Sequence, residues 1–407
     1  MTRGLAAVHM KQGRIGVTAL ACALITLTAF WLAACGVQGT SGGSSQTPGP
    51  GSESGGRWTQ IATPPTVPPP RTDGSLVVDP AANRIILFGG FRADNPAEPT
   101  INARAYNDIW SYDPATNTWS ELRPSGDPPT ARTGPQAAYD PQRKSIFIYG
   151  GVVDDSSYSG TVPGDLWRYD LGANRWTKLQ PTGQTPPPRV QAAMTYDPAN
   201  HTLVLFGGSV LDAQSQRQLF NDLWQYDPAL NEWTELHPSG ASPEPRRSAW
   251  LAIDPLTGRL LVFGGETKAS KSSGTVPLDT VATNELWTYD RRKNTWTRLR
   301  PNGVELPRTG CFVYDEDIRQ FVLIAGFDSA DGQVRLETYT WDPASDVARK
   351  LMPAGTHPLW NGFESFVYSP QQRQVMVFGG NNSLFVGEGT AKPPTVYYQD
   401  FWAWSPE

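Results

Sequence analysis

Cysteine and histidine are scarce in this sequence, and their scarcity excludes two kinds of structure. The 407 residues include three Cys, too few and too widely separated for a disulfide framework. The four His are scattered along the chain and match no metal-ligand spacing. The sequence therefore predicts no bound metal and no other cofactor.

A surplus of basic residues is also missing. The formal net charge is −5, and residues 1–34 hold three cations and no acids, which leaves 31 basic and 39 acidic residues in the remainder. Nucleic-acid binding needs a basic surface, so a mildly acidic chain is a poor candidate for it. We therefore expect no nucleic-acid partner.

Long helical periodicity and familiar catalytic motifs are absent as well. Beyond the N-terminus the apolar runs are short and strand-like, which predicts an all-β fold. The sequence has no Gly-x-Ser-x-Gly element, no Walker loop and no cluster of His. No catalytic residue is assigned on this basis.

What the chain does contain is a repeated apolar run that ends in a glycine pair. The first glycines, with Ala325 in the degraded fifth copy, lie 61, 57, 57, 61 and 54 residues apart. Periods of this length indicate a repeat architecture, so one closed unit or array replaces the two or three domains that the length suggests. The six copies are Ile85–Gly90, Ile146–Gly151, Leu203–Gly208, Leu260–Gly265, Phe321–Gly326 and Val375–Gly380.

The N-terminal segment has the features of an export signal. Lys11 and Arg14 precede an apolar stretch, residues 15–34, which ends in Leu-Ala-Ala directly before Cys35. Small residues before a cleavage point are typical of signal peptides, and this ending resembles the bacterial lipobox, which implies lipid attachment at Cys35. The alternative is an uncleaved membrane anchor, because about 20 apolar residues can span a bilayer. Both interpretations predict an extracytoplasmic protein anchored to a bacterial cell membrane.

Three segments follow from this interpretation. Residues 1–34 are the lipoprotein signal peptide, and residues 35–57 are the lipidated Cys and a flexible linker rich in Gly, Ser and Pro. Residues 58–407 are the folded unit. Within it, we expect Cys311 to be a small core residue rather than a nucleophile, since no His lies near it in sequence.

The third copy illustrates the four strands predicted for each repeat. A first strand, residues 191–197, leads into the tight turn 197–200, which Asp, Pro and Asn favour. The apolar strand 203–206 ends at a glycine pair, where positive φ or close packing is expected. A polar loop, residues 209–220, precedes two further strands with a second tight turn between them. Four antiparallel strands per repeat are typical of a propeller blade.

A second motif accompanies the glycine pairs, as in Asn-Asp-Leu-Trp-x-Tyr-Asp at residues 221–227. A Trp follows seven residues after the Tyr in four copies, at Tyr112 and Trp119, Tyr169 and Trp176, Tyr226 and Trp233, and Tyr289 and Trp296. Together the two motifs resemble the kelch repeat, over the whole chain from Trp58 onward. The resemblance implies a six-bladed kelch-type β-propeller, similar to those of galactose oxidase and sialic-acid mutarotase. We expect the repeated aromatic residues to pack between blades.

Two blades depart from the pattern. Blade five has Trp341 in place of the Tyr and Ala348 in place of the Trp. Blade six ends after its third strand, and residues 58–61 match the fourth strand that it lacks. The N-terminal strand is therefore predicted to complete blade six and close the ring, which removes exposed sheet edges.

An arginine recurs where each linker enters the innermost strand. The resemblance implies that this strand lines the central channel, so the arginines are expected to surround the channel mouth. In some kelch proteins the equivalent arginines bind acidic groups of a partner. The guanidinium fork suits carboxylate and phosphate. The alternative is that each arginine pairs with a carboxylate or backbone group of the neighbouring blade and ties the ring together. The candidate ligand-binding residues are Arg71, Arg132, Arg189, Arg246 and Arg308, and blade six has Asn361 at this position.

Two functional hypotheses remain. The first is a membrane-anchored monomer that binds a protein, peptide or glycan ligand at the loop face. If the ligand is anionic, the arginines at the channel mouth are expected to bind it. The second is an enzyme that acts on an acidic sugar, similar to a sialic-acid mutarotase or epimerase. The binding hypothesis is favoured, because the sequence shows no acid/base pair.

Overall fold

The computed structural model describes residues 54–93, 103–153, 161–212, 216–269, 279–308, 310–328, 333–334, 337–358, 365–381 and 396–406. These residues form strands and turns, and none of them belongs to a helix that could cross a membrane. The apolar stretch 15–34, Cys35 and the linker up to residue 53 lie outside the described residues.

The described residues form six four-stranded antiparallel sheets, here called blades one to six, with strands a to d from the inside outward. Blade one consists of Ser75–Asp79, Arg84–Phe88, Ile109–Asp113 and Thr118–Leu122. Blade two consists of Gln136–Asp140, Ser145–Tyr149, Leu166–Asp170 and Arg175–Lys178. Blade three consists of Ala193–Asp197, Thr202–Leu211, Arg217–Asp227 and Glu232–Leu236.

The second half of the chain repeats the pattern. Blade four consists of Trp250–Ile253, Leu260–Phe263, Leu286–Asp290 and Thr295–Leu299. Blade five consists of Cys311–Asp315, Gln320–Ile324, Thr338–Asp342 and Val347–Ala354. Blade six consists of Ser365–Ser369, Gln374–Phe378, Phe401–Ser405 and the N-terminal strand Ser54–Ile61.

Short strands extend the blades on one side. They pair as Phe91–Ala93 with Ala103–Ala105, Arg132–Thr133 with Val152–Val153, and Phe327–Asp328 with Gln333–Val334. Blade four carries a three-stranded extension, Arg246–Arg247, Glu266–Lys268 and Thr280–Ala282. Asn302–Gly303 pairs in parallel with strand d of blade five.

The six inner strands close into a ring. Each strand a lies beside the strand a of the next blade, and that of blade six lies beside that of blade one. Side chains also link neighbouring blades, since the Tyr139 hydroxyl of blade two donates to Asp79 Oδ1 of blade one at 2.7 Å. The connections between strands b and c and the linkers between blades share one side, the loop face. The turns between a and b and between c and d form the opposite turn face.

The N-terminal strand completes blade six, as predicted. Trp58 lies opposite Trp404 and Ile61 opposite Phe401 in an antiparallel ladder. The strand begins at Ser54, however, so residues 54–57 belong to the fold and the predicted linker boundary at residue 57 was wrong. Ser54 and Arg57 also pair in parallel with strand d of blade five, which joins the outer strands of two blades.

The tight turns follow the predicted chemistry. Asp170 Oδ1 accepts the backbone N–H of Gly172 at 3.0 Å, a side-chain bond that favours a turn. Asn174 ends the same turn with a φ of 47°, a conformation that Asn tolerates better than most residues. Its Oδ1 accepts the Tyr169 hydroxyl at 2.7 Å, and its Nδ2 donates to the backbone oxygen of Arg123 in blade one at 3.1 Å. The Tyr and Asn of the repeat therefore tie neighbouring blades together.

The hydrophobic core lies between the blades. In blades one to four, the strand-d Trp contacts the last aromatic residue of strand b in the preceding blade, which confirms the predicted packing role. Cys311 is also buried, 1% exposed, as expected. The pairs and their centroid distances are Trp119–Phe378 at 5.2 Å, Trp176–Phe88 at 5.2 Å, Trp233–Tyr149 at 5.6 Å and Trp296–Phe206 at 5.6 Å.

Blade five fills the same space with a different residue. Ala348 replaces the Trp, and Phe312 of strand a occupies the position against blade four, with its ring 5.2 Å from Phe263 and stacked on Phe321 at 4.3 Å. Trp341, in place of the Tyr, donates from Nε1 to Asp346 Oδ1 at 3.0 Å. The fifth blade thus keeps its packing despite the degraded motif.

Blade three differs from its predicted strands. Strand a begins at Ala193 rather than at residue 191, and strand b passes through Gly207 and Gly208 to Leu211 instead of ending there. The register shifts at the glycine pair, where φ is 63° and 101°, so the glycines form a bulge within a longer hairpin. Most of the predicted polar loop is therefore strand, and residues 213–215 lie outside the described residues.

Candidate functional site

Arg132 belongs to a hydrogen-bonded unit at the start of blade two. Its Nη1 and Nη2 donate to the two oxygens of Asp165 at 2.8 and 3.1 Å. Nη1 also donates to the backbone oxygen of Gly150 at 2.9 Å, and Nε donates to that of Thr130 at 3.0 Å. Trp167 Nε1 donates to the same carboxylate at 2.6 Å. The unit joins the linker, the end of strand b and the start of strand c within one blade.

Blades one, three and four repeat this unit. Each arginine is at most 1% exposed, and its Nη1 donates to the oxygen of the first paired glycine at 3.0, 2.9 and 3.1 Å. The sequence pattern contained this partner, since the acid always stands two residues before the Trp of strand c. The four pairs are Arg71–Asp108, Arg132–Asp165, Arg189–Asp222 and Arg246–Glu285.

The backbone of the same arginines connects neighbouring blades. The carbonyl oxygen of Arg189 accepts the N–H of Gly151 in blade two at 3.4 Å, and a Cβ on Gly150 would collide with that oxygen. Gly150 also has a φ of 67°. The glycine pair is therefore required both by backbone conformation and by the close approach of the next linker.

The carboxylates of the units in blades two and four have lowered pKa values. Burial by itself would raise the pKa of Asp165, but the hydrogen bonds and charge of Arg132, with the Trp167 bond, lower it below its ordinary value. The pKa of Glu285 is lowered in the same way by Arg246, although burial opposes the shift. Each arginine is therefore held by charge-assisted hydrogen bonds, which are the stronger kind.

These positions correct the expectation that the arginines project into the channel mouth. Arg71, Arg132, Arg189 and Arg246 are buried and pair with carboxylates of their own blades, so their side chains also do not form the inter-blade pairs of the architectural alternative. A ligand would reach them only by displacing a buried carboxylate, which costs several kcal/mol. Ligand binding by these four residues stays a prediction, and their geometry disfavours it.

Arg308 departs from the other four. Its side chain is 44% exposed and pairs with Asp328 at 3.0 Å. Glu337, which holds the position of the usual carboxylate, pairs with Lys350 at 3.0 Å instead. Among the five candidate arginines, Arg308 alone presents its guanidinium to solvent in the part of the chain that the structure describes. Asn361 of blade six lies outside that part.

Two aromatic side chains on the inner strands of separate blades are in contact. The rings of Trp250 in blade four and Phe366 in blade six meet edge to face, with centroids 6.2 Å apart. Blade five stands between these two blades, so the contact crosses its inner edge. The sequence did not indicate this contact, because most other blades have a small or polar residue at the position of Trp250 at the start of strand a.

A groove on the loop face lies between blades three and four. One side is the long hairpin of blade three, and the other is the three-stranded extension of blade four. Arg217 of the hairpin pairs with Asp279 at 2.8 Å. The groove has a volume of about 440 Å³ and is lined by Arg217, Leu219, Glu244, Pro245 and Lys268.

A polar network supports this groove from the channel side. Arg247 Nη2 lies 2.6 Å from Glu266 Oε2, and Nη1 donates to Gln191 Oε1 of blade three at 2.9 Å. The Thr280 hydroxyl donates to the same Glu266 oxygen at 2.8 Å. The network fixes the extension of blade four against blade three.

A second loop-face feature is the hairpin of blade one, which we call the cationic hairpin (residues 91–93 and 103–105). Arg92 stands directly opposite Arg104 in its ladder. Tyr106 follows, with the guanidinium carbons of Arg71 and Arg104 lying 4.1 and 5.6 Å from the centre of its ring.

No cluster of three or more His, Cys, Asp or Glu suited to a metal ion occurs within the described ranges. The connection between strands b and c of blade six, residues 381–396, falls almost wholly outside the described ranges. The described loop face therefore offers the groove, the cationic hairpin and Arg308 as candidate contact sites.

Comparison with known proteins identifies the class. The sequence matches the KLHDC2/KLHL20/DRC7 Kelch-repeats domain over residues 54–265 and again over residues 141–380. The two matches together cover more than half of the chain. The chain belongs to the kelch-repeat family, and its four-stranded sheets are the blades of a kelch β-propeller.

Individual relatives have varied descriptions. The N-(sulfonatooxy)prop-2-enimidothioate sulfolyase of Thlaspi arvense is 25% identical over 314 residues, which are 75% of this chain and 83% of that protein. Kelch repeat-containing protein 2 of Saccharomyces cerevisiae is 26% identical over 40% of this chain and 17% of its own length. Acyl-CoA-binding domain-containing protein 4 of Arabidopsis thaliana is 28% identical over 54% and 31%. The chain spans most of the first relative but less than a third of the other two.

Proposed function

We propose that this protein is a lipid-anchored, extracytoplasmic kelch propeller that binds a protein partner through its loop face. Membership of the kelch-repeat family supports a protein-interaction module. The lipobox-like ending at Cys35 supports the anchor and the location. Fold alone does not determine function in propellers, so the proposal depends on how the two faces differ.

The contrast between the faces carries the proposal. On the turn face, an Asp carboxylate accepts the backbone N–H two residues later in turn after turn, as at Asp113, Asp227 and Asp290. On the loop face, blade one has a cationic hairpin, blade three a long hairpin and blade four a three-stranded extension. Binding residues are typically found on variable loops held by a rigid scaffold.

Photo-cross-linking tests which face binds. A photoreactive phenylalanine analogue replaces Leu219, in the groove, or Leu230, which is 66% exposed on the turn face. In cells that produce the full-length protein, we expect a single covalent adduct of defined mass from position 219 and none from position 230. The adduct is then reproduced with the purified partner. Adducts from position 230 alone would contradict a loop-face site.

Anchoring has an independent test. Mass spectrometry of the membrane-purified protein should find a lipid-modified Cys35 at the N-terminus. Cys35→Ser should prevent both lipidation and processing, because the thiol is the acceptor. An intact N-terminal segment on the mature wild-type protein would instead favour the uncleaved anchor.

An enzyme is the second candidate, and the extent of the sulfolyase match favours it. Binding-module relatives match only part of their own length, whereas this match spans 83% of the plant enzyme. Purified protein would be incubated with N-(sulfonatooxy)prop-2-enimidothioate and the release of sulfate measured against heat-inactivated protein. Catalysed release supports a lyase, and release at the control rate supports the binding module. The acidic-sugar isomerase stays a prediction from resemblance.

A further inference from the structure

We propose that the groove between blades three and four binds a segment of the protein partner that carries an acidic, an apolar and a basic side chain. This inference rests on the proposed loop-face function, and it adds the chemistry of the segment that enters the groove. The lining residues that carry it are Lys268, Glu244 and Leu219. The groove volume of about 440 Å³ lies within the range of about 300–1,000 Å³ that is typical of ligand sites.

The two walls of the groove are joined by polar contacts. Arg217 of the blade-three hairpin donates from Nε to Asp279 Oδ2 at 2.8 Å, and Asp279 directly precedes the last strand of the blade-four extension. Arg217 Nη1 also donates to Ser209 Oγ of the same hairpin at 3.3 Å. On the channel side, Arg247 donates to Gln191 Oε1 of blade three at 2.9 Å. The groove is therefore formed before a partner arrives, and a preorganised site loses less conformational entropy on binding.

Lys268 supplies a positive charge that no described carboxylate neutralises. Its side chain is exposed, and it forms neither an ion pair nor a hydrogen bond with a residue of the described ranges. Glu266 lies two residues earlier in the same strand and thus on the same face. However, Arg247 Nη2 lies 2.6 Å from Glu266 Oε2, and the Thr280 hydroxyl donates to the same oxygen at 2.8 Å. Because Glu266 is engaged, the Lys268 ammonium is available to a carboxylate of the partner.

Glu244 supplies a negative charge on the linker that enters blade four. Its backbone oxygen accepts Arg246 Nε at 3.0 Å, but its exposed carboxylate has no ion pair within the part of the chain that the structure describes. Arg246 instead directs Nη2 to Glu285 Oε2 at 2.5 Å and Nη1 to the Gly264 oxygen at 3.1 Å. The groove thus presents one uncompensated charge of each sign.

Charge complementarity decides which occupant suits the groove. Leu219 and Pro245 give it an apolar part. A purely apolar segment would cover the charges of Lys268 and Glu244 without pairing them, which is costly. A polyanion or an anionic lipid surface would meet Glu244 as well as Lys268, and like charges oppose association. A segment with an acidic and a basic side chain beside an apolar one pairs both charges and covers the apolar part.

The test uses the peptide Gly-Glu-Leu-Lys-Gly with blocked ends and a neutral fluorophore. Its binding to the full-length protein is measured by fluorescence anisotropy at low ionic strength, where screening is weak. We expect Lys268→Glu and Glu244→Lys each to bind the peptide at least about tenfold more weakly than wild type. The exchanged variant Lys268→Glu/Glu244→Lys should regain most of the affinity, because it again presents one charge of each sign and the peptide can bind in the reverse direction.

Two controls separate the groove from general charge effects. Lys293→Glu makes the same substitution at an exposed lysine of blade four on the turn face, and this variant should bind like wild type. The peptide Gly-Gln-Leu-Gln-Gly lacks both charges and should bind wild type at least about tenfold more weakly than the charged peptide. Circular dichroism melting checks that each variant is folded.

Five results would overturn the proposal. Lys268→Glu binds like wild type, Lys293→Glu weakens binding as much as Lys268→Glu, the exchanged variant stays as weak as the single variants, the Gln peptide binds as tightly as the charged one, or heparin or anionic vesicles displace the peptide at lower concentration than unlabelled peptide does. The adduct at position 219 separates the two claims. If it forms in the wild type while the peptide fails these tests, only this inference fails, whereas its absence from the wild type counts against the loop-face function itself.

Discussion

At the scale of single residues, the buried arginines act as structural ties. Replacing Arg132 with Ala would leave Asp165 without its cation and the Gly150 oxygen without a donor. Breaking a buried pair in this way typically costs about 3–5 kcal/mol, so we expect that loss in the free energy of unfolding, measured by urea denaturation. Arg132→Lys should recover only part of it, because an ammonium group lacks the guanidinium fork.

The exposed Arg123 gives the matched control for this prediction. Its side chain is 88% exposed and lies 3.9 Å from Glu121, so Arg123→Ala should change the stability by less than about 0.5 kcal/mol. An Arg132→Ala variant of unchanged stability that lost partner binding would restore the original ligand hypothesis for the buried arginines.

Asp315 accepts the backbone N–H groups of Asp317 and Ile318 at 2.9 and 3.3 Å, but it lacks the cation that its counterpart in blade two has. Asp140, at the same position in blade two, pairs with Arg143 three residues later at 2.9 Å, but blade five has Ile318 there. Asp315 is fully buried, and burial raises its pKa above the ordinary value of 3.8. Its charged form is therefore less favourable in the folded state than in the unfolded state.

The pH dependence follows from the direction of this shift. The contribution of Asp315 to stability is complete below its ordinary pKa and is lost as the pH rises through the raised value. Asp315→Asn should therefore match or exceed the wild-type melting temperature near neutral pH, with the advantage vanishing in acid. Asp140→Asn should lower the melting temperature near neutral pH, because it breaks the ion pair with Arg143. Equal losses in both variants would show that the hydrogen bonds of the Asp315 carboxylate outweigh the cost of burying its charge.

At the scale of elements, each blade interface needs one large side chain at a fixed place. Strand d supplies a Trp in blades one to four, whereas strand a supplies Phe312 in blade five, where Ala348 leaves the space free. The interface therefore requires that this space be filled, and the large side chain that fills it can come from strand d or from strand a. A fully packed core of this kind responds strongly to lost or added volume.

A double variant tests this exchange. Phe312→Ala should destabilise by about 3–5 kcal/mol through the cavity it leaves, and Ala348→Trp should also destabilise, because the space is already occupied. Combined, the two should be more stable than Phe312→Ala alone, since the new Trp can take the vacated place. Denaturation of the three variants gives the coupling, and purely additive losses would show that the two positions do not share one volume.

At the scale of the whole molecule, the ring depends on joining the two ends of the folded chain. Trp58 is 4% exposed and the strand that holds it pairs with blades five and six. Deleting residues 36–53 leaves this strand intact and should not change the melting temperature. Deleting residues 36–61 removes it, exposes a sheet edge and should lower the melting temperature sharply or prevent folding. Equal melting temperatures would exclude the strand from the ring.

Much of the fold was predictable because its signals are local and repeated. The Asp-containing turns, the glycine pairs and the seven-residue Tyr-to-Trp spacing each reflect a backbone or side-chain requirement within a few residues, and their repetition in most blades made them visible. Residues 58–61 were recognisable as the missing strand for the same reason. The extent of that strand was not, because Gly55 and Gly56 resemble linker residues, and they lie at the register shift between the Ser54 and Arg57 pairings, where the Gly55 oxygen accepts Trp404 Nε1 at 3.1 Å.

Whether the arginine side chains face the channel or pair with a carboxylate of the blade, by contrast, was decided only by the tertiary structure. A repeated Arg can either project into an open channel or be buried in an ion pair. The outcome depends on where the fold places the carboxylate that follows 33 to 39 residues later in the sequence. In blades one to four it lies beside the guanidinium, while in blade five Lys350 engages Glu337 and Arg308 remains at the surface. The opposition of Arg92 and Arg104 likewise arises from the register of two strands. The sequence by itself determined the repeat and the ring, because their signals are short-range, and long-range pairing decided which arginines are buried in ion pairs and which stay at the surface.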